Sequence, residues 1–401
     1  MRFFYIDPFL KYDFGHYFEA ARAIKKYFVS EKKDFYLIGN IGINENTKKN
    51  IGGVIPFIQQ TCFEDLENKG ESFGEDLINL HKIYSFCERD LLIIPAAYEN
   101  QIYGVGKFFN YLKQNKGNYP KVAMQFHQLY PPTKESDDLE KPEFKQKWEN
   151  RLAEAFSVSN FPSISYWSTE SGNLNNKLSS LSKRDVGVLP VPFNIPINLS
   201  ERNKKDSLII GFLGDGRQEK GLSIFLRSIP YLIKSQKNLK FVVQNLNPRG
   251  FSETQENEMK SLLKNVSELS EVRLINGSLS PEEYDSVFRE IDIVVLPYDP
   301  KNYSQRVSGI FMQASIYRKL VVVSSGTWLE ESLKKNRASG KVFDYVENKD
   351  QTVNNLTSSI LSLITEIDKY HTLAVKTSNY YSRKCTAKEF ITNIVEYYEH
   401  K

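Results

Sequence analysis

The sequence contains little cysteine and no long apolar segment. Its three cysteines, Cys62, Cys87 and Cys385, lie far apart and none belongs to a Cys-x-x-Cys pair. That spacing argues against a disulfide-framed domain or a zinc knuckle, and it favours a reducing compartment. No apolar run approaches the ~20 residues that span a bilayer. The chain is therefore predicted to be soluble and cytoplasmic.

The excess of positive over negative charge is also small, and several well-known catalytic motifs are missing. Lys and Arg number 53 against 49 Asp and Glu, with no basic block, which argues against a nucleic-acid partner. No Asp-x-Asp, Gly-x-Ser-x-Gly or His-Glu-x-x-His occurs. A metal-bound diphosphate, a serine hydrolase and a zinc protease are thus disfavoured. We expect neither a metal nor a cofactor.

What the chain does contain is a repeated alternation of short buried-type strands and longer helical segments. This pattern is typical of βαβ units and parallel sheets. Six strands are predicted in the first half: 2–6, 34–38, 54–58, 91–95, 122–127 and 164–167. Six more are predicted in the second half: 208–213, 240–244, 272–275, 291–296, 320–323 and 341–343. The predicted fold class is α/β with two doubly wound, Rossmann-like domains.

A proline-rich segment separates the two halves. Pro190, Pro192 and Pro196 fall within eight residues and cannot occupy a helix interior or a central strand, which indicates an extended linker. The predicted domains are 1–189 and 207–385, with a linker at 190–206 and a C-terminal helix at 386–401 packing back on the first domain. Ligands of open α/β sheets bind at the carboxyl ends of strands, so two such domains are expected to face each other across a cleft.

One segment of the second half, 209–221, combines a strand, a glycine-rich turn and a helix start. Gly216 would let the backbone approach an anion, and the helix start supplies free NH groups. Arg217 and Lys220 add positive charge. The segment suits a diphosphate, although a tight turn with two solvated cations explains it equally well.

A second segment, 290–314, has similar properties. A buried strand ends near Tyr298, and Ser308 with Gly309 opens a helix whose NH groups could bind an anion. Gln305 and Gln313 are eight residues apart, so one lies in the loop and the other about two turns into the helix. The alternative is an ordinary crossover with a serine N-cap.

Taken together, these segments resemble the C-terminal domain of the retaining, family-4 type of GT-B glycosyltransferases. The resemblance lies in FLGxxRxEKG at 212–221, YDSVFREIDIVVLP at 284–297 and RVSGIFMQASIYRKLVVVSSGTW at 306–328, and it covers most of 186–345. It implies the GT-B architecture, and transfer of a sugar from a nucleotide-diphosphate donor to a hydroxyl acceptor with retention and without a metal.

The resemblance also implies roles for particular residues. Arg217 and Lys220 correspond to the family's donor-diphosphate ligands, joined by Gly216, Ser308 and Gly309 of the same two loops. The two glutamates that hold the donor sugar and the ribose in the family fall on Gln305 and Gln313. An amide accepts hydrogen bonds without the charge assistance of a carboxylate. Two further candidates lie in the second loop: Tyr298 and Arg306.

The first half resembles the family more faintly. Gly15, in the loop 12–17 after the first strand, corresponds to a glycine that the family places against the donor phosphates. His127 ends a predicted strand, where the family commonly has a catalytic histidine, and it is our catalytic candidate. His16 is a weaker candidate. A satisfied structural histidine is the alternative in both cases.

A basic, aromatic stretch at 107–116 has two interpretations. It could contact an anionic membrane that carries lipid-linked acceptors, or it could be an ordinary amphipathic helix.

The expected function is glycosyl transfer in polysaccharide or glycoconjugate synthesis, with a carbohydrate, lipid-linked or protein acceptor. The two glutamines favour one alternative, a catalytically silent GT-B subunit or sugar-nucleotide-binding protein. A two-lobed binder of another small ligand is the third reading, because a fold does not fix a function.

Overall fold

The computed structural model divides the chain into two compact units. It describes residues 1–13, 15–61, 63–64, 67–130, 141–195, 207–249 and 251–400. The first unit contains the described residues up to 194 together with 384–400, and the second contains those between 195 and 383. Each unit has its own parallel sheet and its own apolar core.

The first unit is a seven-stranded parallel sheet in the order β3-β2-β1-β4-β5-β6-β7. Its strands are β1 (Phe3–Ile6), β2 (Phe35–Asn40), β3 (Val54–Ile58), β4 (Leu91–Ile94), β5 (Lys121–Phe126), β6 (Ile164–Ser168) and β7 (Val186–Val188). Its helices are α1 (Gly15–Ser30), α2 (Glu45–Ile51), α3 (Glu71–Tyr84), α4 (Glu99–Gln114), α5 (Pro142–Val158), α6 (Gly172–Ser182) and, from the end of the chain, α15 (Ala387–Glu399). Strand order reverses between β1 and β4, the position at which such sheets bind ligands.

Alternate residues of the central strands supply the two faces of this sheet. Phe4 and Ile6 belong to the core cluster that also includes residues of α3, α4 and α5. Tyr5 packs on the opposite face in a cluster with Phe390 and Ile394 of α15. Burial on both faces explains why these strands read as continuous apolar runs.

The second unit has the same plan. Its strands are β8 (Leu208–Phe212), β9 (Asp215–Arg217), β10 (Leu239–Arg249), β11 (Val272–Asn276), β12 (Ile293–Leu296), β13 (Leu320–Ser324) and β14 (Ser339–Phe343). Its helices are α7 (Leu222–Ser235), α8 (Glu253–Ser267), α9 (Pro281–Glu290), α10 (Pro300–Tyr303), α11 (Gly309–Ile316), α12 (Trp328–Lys334), α13 (Lys349–Thr365) and α14 (Ile367–Lys384). The sheet order is β11-β10-β8-β12-β13-β14, and β9 pairs with β10.

Serine side chains define the starts of three helices in this unit. Ser252, Ser280 and Ser308 each accept a hydrogen bond from a backbone NH three residues further on. Pro281 follows Ser280 at the first helical position, where a missing NH costs nothing. These caps fix where α8, α9 and α11 begin.

The predicted α/β class and all twelve predicted strands are confirmed, with ends displaced by a few residues. Two short strands, β7 and β9, were not predicted. The described start of the proline-rich segment lies in the first unit, where Val191 is 4% exposed and the Phe193 NH donates to the Cys385 carbonyl at 2.8 Å. Residues 196–206 of the predicted linker lie outside the described part of the chain.

The basic, aromatic stretch at 107–116 forms the second half of α4 and continues just beyond it. Phe108 and Leu112 are fully buried, and Lys107 pairs with Glu71 and, at 2.6 Å, with Glu75 of α3. The stretch therefore packs as an ordinary amphipathic helix. Within the described ranges, no helix has both the length and the apolar character needed to cross a membrane.

Candidate functional site

The two anion-type segments predicted in the second unit lie against each other. The NH of Asp299 donates to the carbonyl of Glu219 at 2.8 Å. Gly221 has φ of 69°, and a Cβ there would overlap the carbonyl oxygen of Pro297. The turn after β8 and the loop after β12 therefore form one backbone surface, and only glycine allows their contact at this point.

Lys220 lies where these loops meet α11. A Cβ at Gly214 would lie 2.5 Å from Cδ1 of Ile310 and 3.5 Å from Nζ of Lys220, so all three residues surround one point. Lys220 is only 8% exposed, and its Nζ lies 5.8 Å from the centre of the Tyr298 ring. A lysine this buried has lost most of its hydration, which strengthens its attraction for an anion.

Arg217 is held in place by two carboxylates. Its Nη1 lies 2.8 Å from Oε1 of Glu219, and its Nε lies 3.2 Å from Oδ2 of Asp215. Its Nη2 donates to the Tyr303 hydroxyl at 3.2 Å. Arg306 lies 3.7 Å from the same Glu219 oxygen. The positive charges of Arg217, Arg306 and Lys220 exceed the negative charges of Asp215 and Glu219 by one. The local net charge is therefore about +1.

The start of α11 adds backbone donors at the same place. Ser308 is 5% exposed and its Oγ accepts from the NH of Phe311 at 3.2 Å. The helix then begins at Gly309, directly before Ile310. The first NH groups of a helix have no intrahelical partner, and the helix dipole favours negative charge there. Lys220 and the start of α11 at Ser308 and Gly309 therefore lie at one place, and Arg217 lies on the neighbouring turn with Glu219 and Tyr303; their role as diphosphate ligands stays a prediction.

The two glutamines are in different surroundings. Gln313 lies in α11, and its Oε1 accepts from the Tyr284 hydroxyl of α9 at 3.2 Å. Gln305 lies half-buried in the loop between α10 and α11. Its side chain is thus carried by the same loop as Arg306.

Gly216 differs from its predicted setting in a glycine-rich turn. It lies in β9, buried, in a short stretch that pairs with β10. A 3-10 helix at Gln218–Lys220 then precedes α7. The turn is made by Gly214, whose φ is 98° and whose NH donates to Oε1 of Gln244 at 2.9 Å. Gly214 is thus the residue that permits the sharp turn, and the role of Gly216 as a diphosphate ligand stays a prediction.

In the first unit, His127 follows β5 and is fixed by its neighbour strand. Its Nε2 lies 2.7 Å from the carbonyl oxygen of Pro95, directly after β4. A carbonyl can only accept, so Nε2 carries the proton and Nδ1 is left as an acceptor. Burial lowers the pKa of His127 to about 4, even though the contact with Pro95 acts in the opposite direction. The imidazole is neutral near pH 7.

The other two candidates of the first unit lie at the start of α1. Gly15 begins the helix with φ of 84°, is exposed, and a Cβ there would meet nothing within 4 Å. The His16 ring lies 5.1 Å from the His127 ring, and Tyr17 lies 5.8 Å from it. The structure therefore brings His16 and His127 together, with Gly15 next to His16 in the chain.

Sequence reasoning missed several residues of these sites. Asp7 follows β1, is fully buried, and accepts from the NH of Phe9 at 2.9 Å; burial raises its pKa to about 7. Its position directly after a buried strand was a usable signal, the same one that singled out His127. Asp215 and Glu219 were visible on either side of Arg217.

Among the described residues no group of three or more His, Cys, Asp or Glu could hold a metal ion.

Comparisons with known proteins identify the fold. No family model and no curated protein sequence matches this chain. Solved structures match it over its whole length. The Anabaena protein HepE in complex with UDP aligns with 13% identity and a TM-score of 0.66, over 100% of both chains. A glycosyltransferase from Rickettsia africae aligns with 11% identity and a TM-score of 0.67, over 100% of this chain and 98% of the other.

Sucrose-phosphate synthase from Thermosynechococcus elongatus is a further match, with 11% identity and a TM-score of 0.66 over 100% of this chain and 99% of the other. The chain therefore has the fold of GT-B glycosyltransferases, as its sequence predicts.

Proposed function

We propose that this protein is a glycosyltransferase that moves a sugar from a nucleoside-diphosphate sugar to a hydroxyl acceptor, with retention at the anomeric carbon and without a metal. The observation that carries the proposal is the meeting of Lys220, Gly214 and the start of α11 around one point of the second unit. HepE, which shares the fold, has been seen with UDP and with UDP-glucose.

The chemistry follows from charge. When the bond between the sugar and the diphosphate breaks, negative charge builds up on the leaving diphosphate. Lys220, the NH groups at Gly309 and Ile310, and the guanidinium of Arg217 would stabilise that charge without moving far. Glu219 and Asp215 hold Arg217 in place before the donor binds.

In the first unit, His127 is proposed to act on hydroxyl groups. Its neutral imidazole offers Nδ1 as an acceptor beside His16, and its Nε2 contacts Pro95 directly after β4, one of the two strands between which the strand order reverses. A neutral acceptor can orient a sugar hydroxyl, whereas an imidazolium could not accept its proton. We place the acceptor on this unit.

We further propose a cytoplasmic role in the synthesis of a polysaccharide or glycoconjugate. Membrane contact through 107–116 does not form part of this proposal, because Lys107 is paired and Phe108 is buried.

The first test is ligand-dependent thermal stabilisation of the wild type and of Lys220→Ala by UDP, GDP, ADP and CMP. A ligand at about 100 times its Kd stabilises a protein by roughly 2.7 kcal/mol, which is a measurable shift in Tm. We expect one nucleoside diphosphate to stabilise the wild type and to lose that effect in Lys220→Ala. Lys234→Ala, at the exposed far end of α7, is the matched control.

Turnover separates the proposal from its alternative. The rate of hydrolysis or transfer of the matching nucleotide sugar should fall in Lys220→Ala. The expected rise in the activation free energy is about 2 to 4 kcal/mol, as for the loss of a hydrogen-bond donor that stabilises developing charge. Nucleotide binding with no turnover of any nucleotide sugar would instead favour the alternative, a catalytically silent GT-B protein. That alternative is motivated by Gln305 and Gln313, which stand where the family has glutamates. Equal stabilisation of wild type and Lys220→Ala would refute the site.

A further inference from the structure

Four aromatic side chains form a cluster of their own beside His127. We call Phe9, Tyr17, Phe63 and Tyr98 the aromatic platform. Phe9 stacks on Tyr17 with ring centres 4.8 Å apart and planes at 17°, and Phe63 contacts both Phe9 at 5.1 Å and Tyr98 at 4.5 Å. Tyr17 then contacts His127 at 5.8 Å. The platform is thus continuous with the proposed acceptor side of the first unit.

The four rings come from four places in the chain that share one edge of the sheet. Phe9 follows β1, Tyr17 lies in the first turn of α1, Phe63 follows β3 and Tyr98 follows β4. All of them therefore lie beyond the carboxyl ends of strands, where open α/β sheets bind ligands. They belong neither to the core with α15 nor to the core with α3, α4 and α5.

The platform remains partly open to solvent. Tyr98 is 5% exposed, but Phe9, Tyr17 and Phe63 are only half-buried. Large apolar side chains that stay partly exposed next to a few polar groups are typical of small-molecule sites. Here the polar groups are His127 and His16.

Two charged side chains beside the platform pair with each other. Lys11, two residues after Phe9, lies 3.7 Å from Glu64, the residue after Phe63. This pair bridges the two segments that carry the rings, and each charge has its partner within the protein. Because this pair leaves no net charge, and Asp7 beside Phe9 can only add a negative one, the platform favours a neutral ligand over an anion such as a phosphate.

We propose that the aromatic platform binds a neutral pyranose ring of the acceptor, which makes the acceptor a saccharide. An aromatic face is electron-rich, and a pyranose presents it with a flat face of weakly positive C–H groups and a rim of hydroxyls. The C–H face would lie on the rings while a hydroxyl reaches Nδ1 of His127. This inference rests on the proposed function, because it assumes that the first unit holds the acceptor.

The test is saturation-transfer NMR, irradiating aromatic protein protons and observing methyl glycosides of glucose, galactose, mannose and N-acetylglucosamine. D-Glucitol serves as a probe with similar hydroxyls but no ring. We expect transfer to the ring C–H protons of at least one glycoside, at least fivefold stronger than to glucitol. We expect Phe9→Leu and Phe63→Leu to reduce it at least fivefold, since leucine keeps apolar volume but lacks the aromatic face.

Two controls keep the result interpretable. Tyr231→Ala removes a 57% exposed aromatic side chain from α7 of the second unit and should leave the transfer unchanged. A nucleotide-induced Tm shift that persists in the leucine variants reports that they are folded. Loss of glycoside binding with that shift intact supports the platform.

Three results would overturn the inference: no transfer to any of the glycosides, equal transfer to glucitol, or full transfer in both leucine variants. None of them depends on the diphosphate site. Conversely, a wild type that binds glycosides on the platform but is stabilised by no nucleotide would refute the proposed function and leave the platform standing.

Discussion

Nε2 of His127 donates to the carbonyl oxygen of Pro95 across 2.7 Å, and this contact determines the form of the imidazole. Because burial lowers the pKa of His127 to about 4, against about 6.5 for an ordinary histidine, we expect the ring to stay neutral from pH 8 down to about 5. ¹⁵N NMR should show a protonated Nε2 and a bare Nδ1 over this range, with His127→Gln identifying the signal. A titration midpoint near 6.5 would contradict this assignment.

Glu219 both holds Arg217 and competes with any anion that approaches it. Glu219→Gln removes a negative charge 2.8 Å from the guanidinium while keeping an oxygen that can still accept. At an effective dielectric constant of about 20, one charge about 8 Å from a phosphate is worth about 2 kcal/mol. We expect the nucleoside diphosphate to bind roughly five- to thirtyfold more tightly at low salt, measured by calorimetry.

The matched control is Glu258→Gln, which removes the same charge from the pair with Arg227 on α7 and α8. It should leave nucleotide affinity within about twofold, because both side chains of this pair are about a third exposed to water, whose high dielectric constant weakens their effect at a distance. Weaker binding in Glu219→Gln than in the wild type would contradict this prediction. It would mean that Glu219 helps binding more by positioning Arg217 than it hinders binding by repelling the phosphate.

Most of the fold could be predicted from the sequence because the strands of both sheets are buried on both faces. Such strands are continuous apolar runs that are easy to recognise. Strands such as β4 and β13 are unbroken apolar runs and were predicted almost to the residue. By contrast, β9 is only three residues long and contains Asp215 and Gly216, two residue types that are depleted in strands. Its formation depends on pairing with β10, a contact that no local pattern reveals.

The candidate site was predictable where one segment carries its chemistry. Arg217, Lys220 and Ser308 were singled out because a glycine or a helix cap marks each of their segments. The aromatic platform was not, because its four rings come from separate loops and meet only after the sheet has formed. Asp7 had a usable signal in its position directly after a buried strand, but its complete burial is a property of the folded sheet that the sequence does not show.

Asp7 should make stability depend on pH. Burial raises its pKa to about 7 from the ordinary 3.8, so between these values the folded state holds a proton that the unfolded state has released. Unfolding free energy therefore falls as pH rises from about 4 to 7, by at most about 4 kcal/mol for three pKa units. Asp7→Asn keeps the oxygen that accepts from the NH of Phe9. Because it cannot ionise, its unfolding free energy should not show this fall with rising pH.

Chemical denaturation at several pH values measures the effect. We expect Asp7→Asn to gain stability relative to the wild type between pH 4 and 7, and the difference to level off above pH 7. Any contribution from His127 is common to both proteins and cancels in the comparison. Asp185→Asn, at an exposed position, should show no such trend. A difference that does not vary with pH would show that Asp7 ionises normally.

Gly221 couples the two loops of the second unit, and its replacement should cost both stability and binding. A Cβ there would overlap the carbonyl oxygen of Pro297, and φ of 69° is unfavourable for an L-residue by about 1 kcal/mol. With the added clash we expect Gly221→Ala to lower the unfolding free energy by about 2 to 4 kcal/mol. Gly172→Ala, at the start of α6, has nothing within 4 Å of the new methyl group and should be close to neutral.

Because Lys220 precedes Gly221 directly, moving the turn away from Pro297 should also displace Nζ from the start of α11. Nucleotide-induced stabilisation should therefore drop in Gly221→Ala at temperatures where the variant is still folded, as judged by circular dichroism. If Gly221→Ala matched Gly172→Ala in Tm and retained the full nucleotide shift, the close contact of the two loops would not be what orders Lys220.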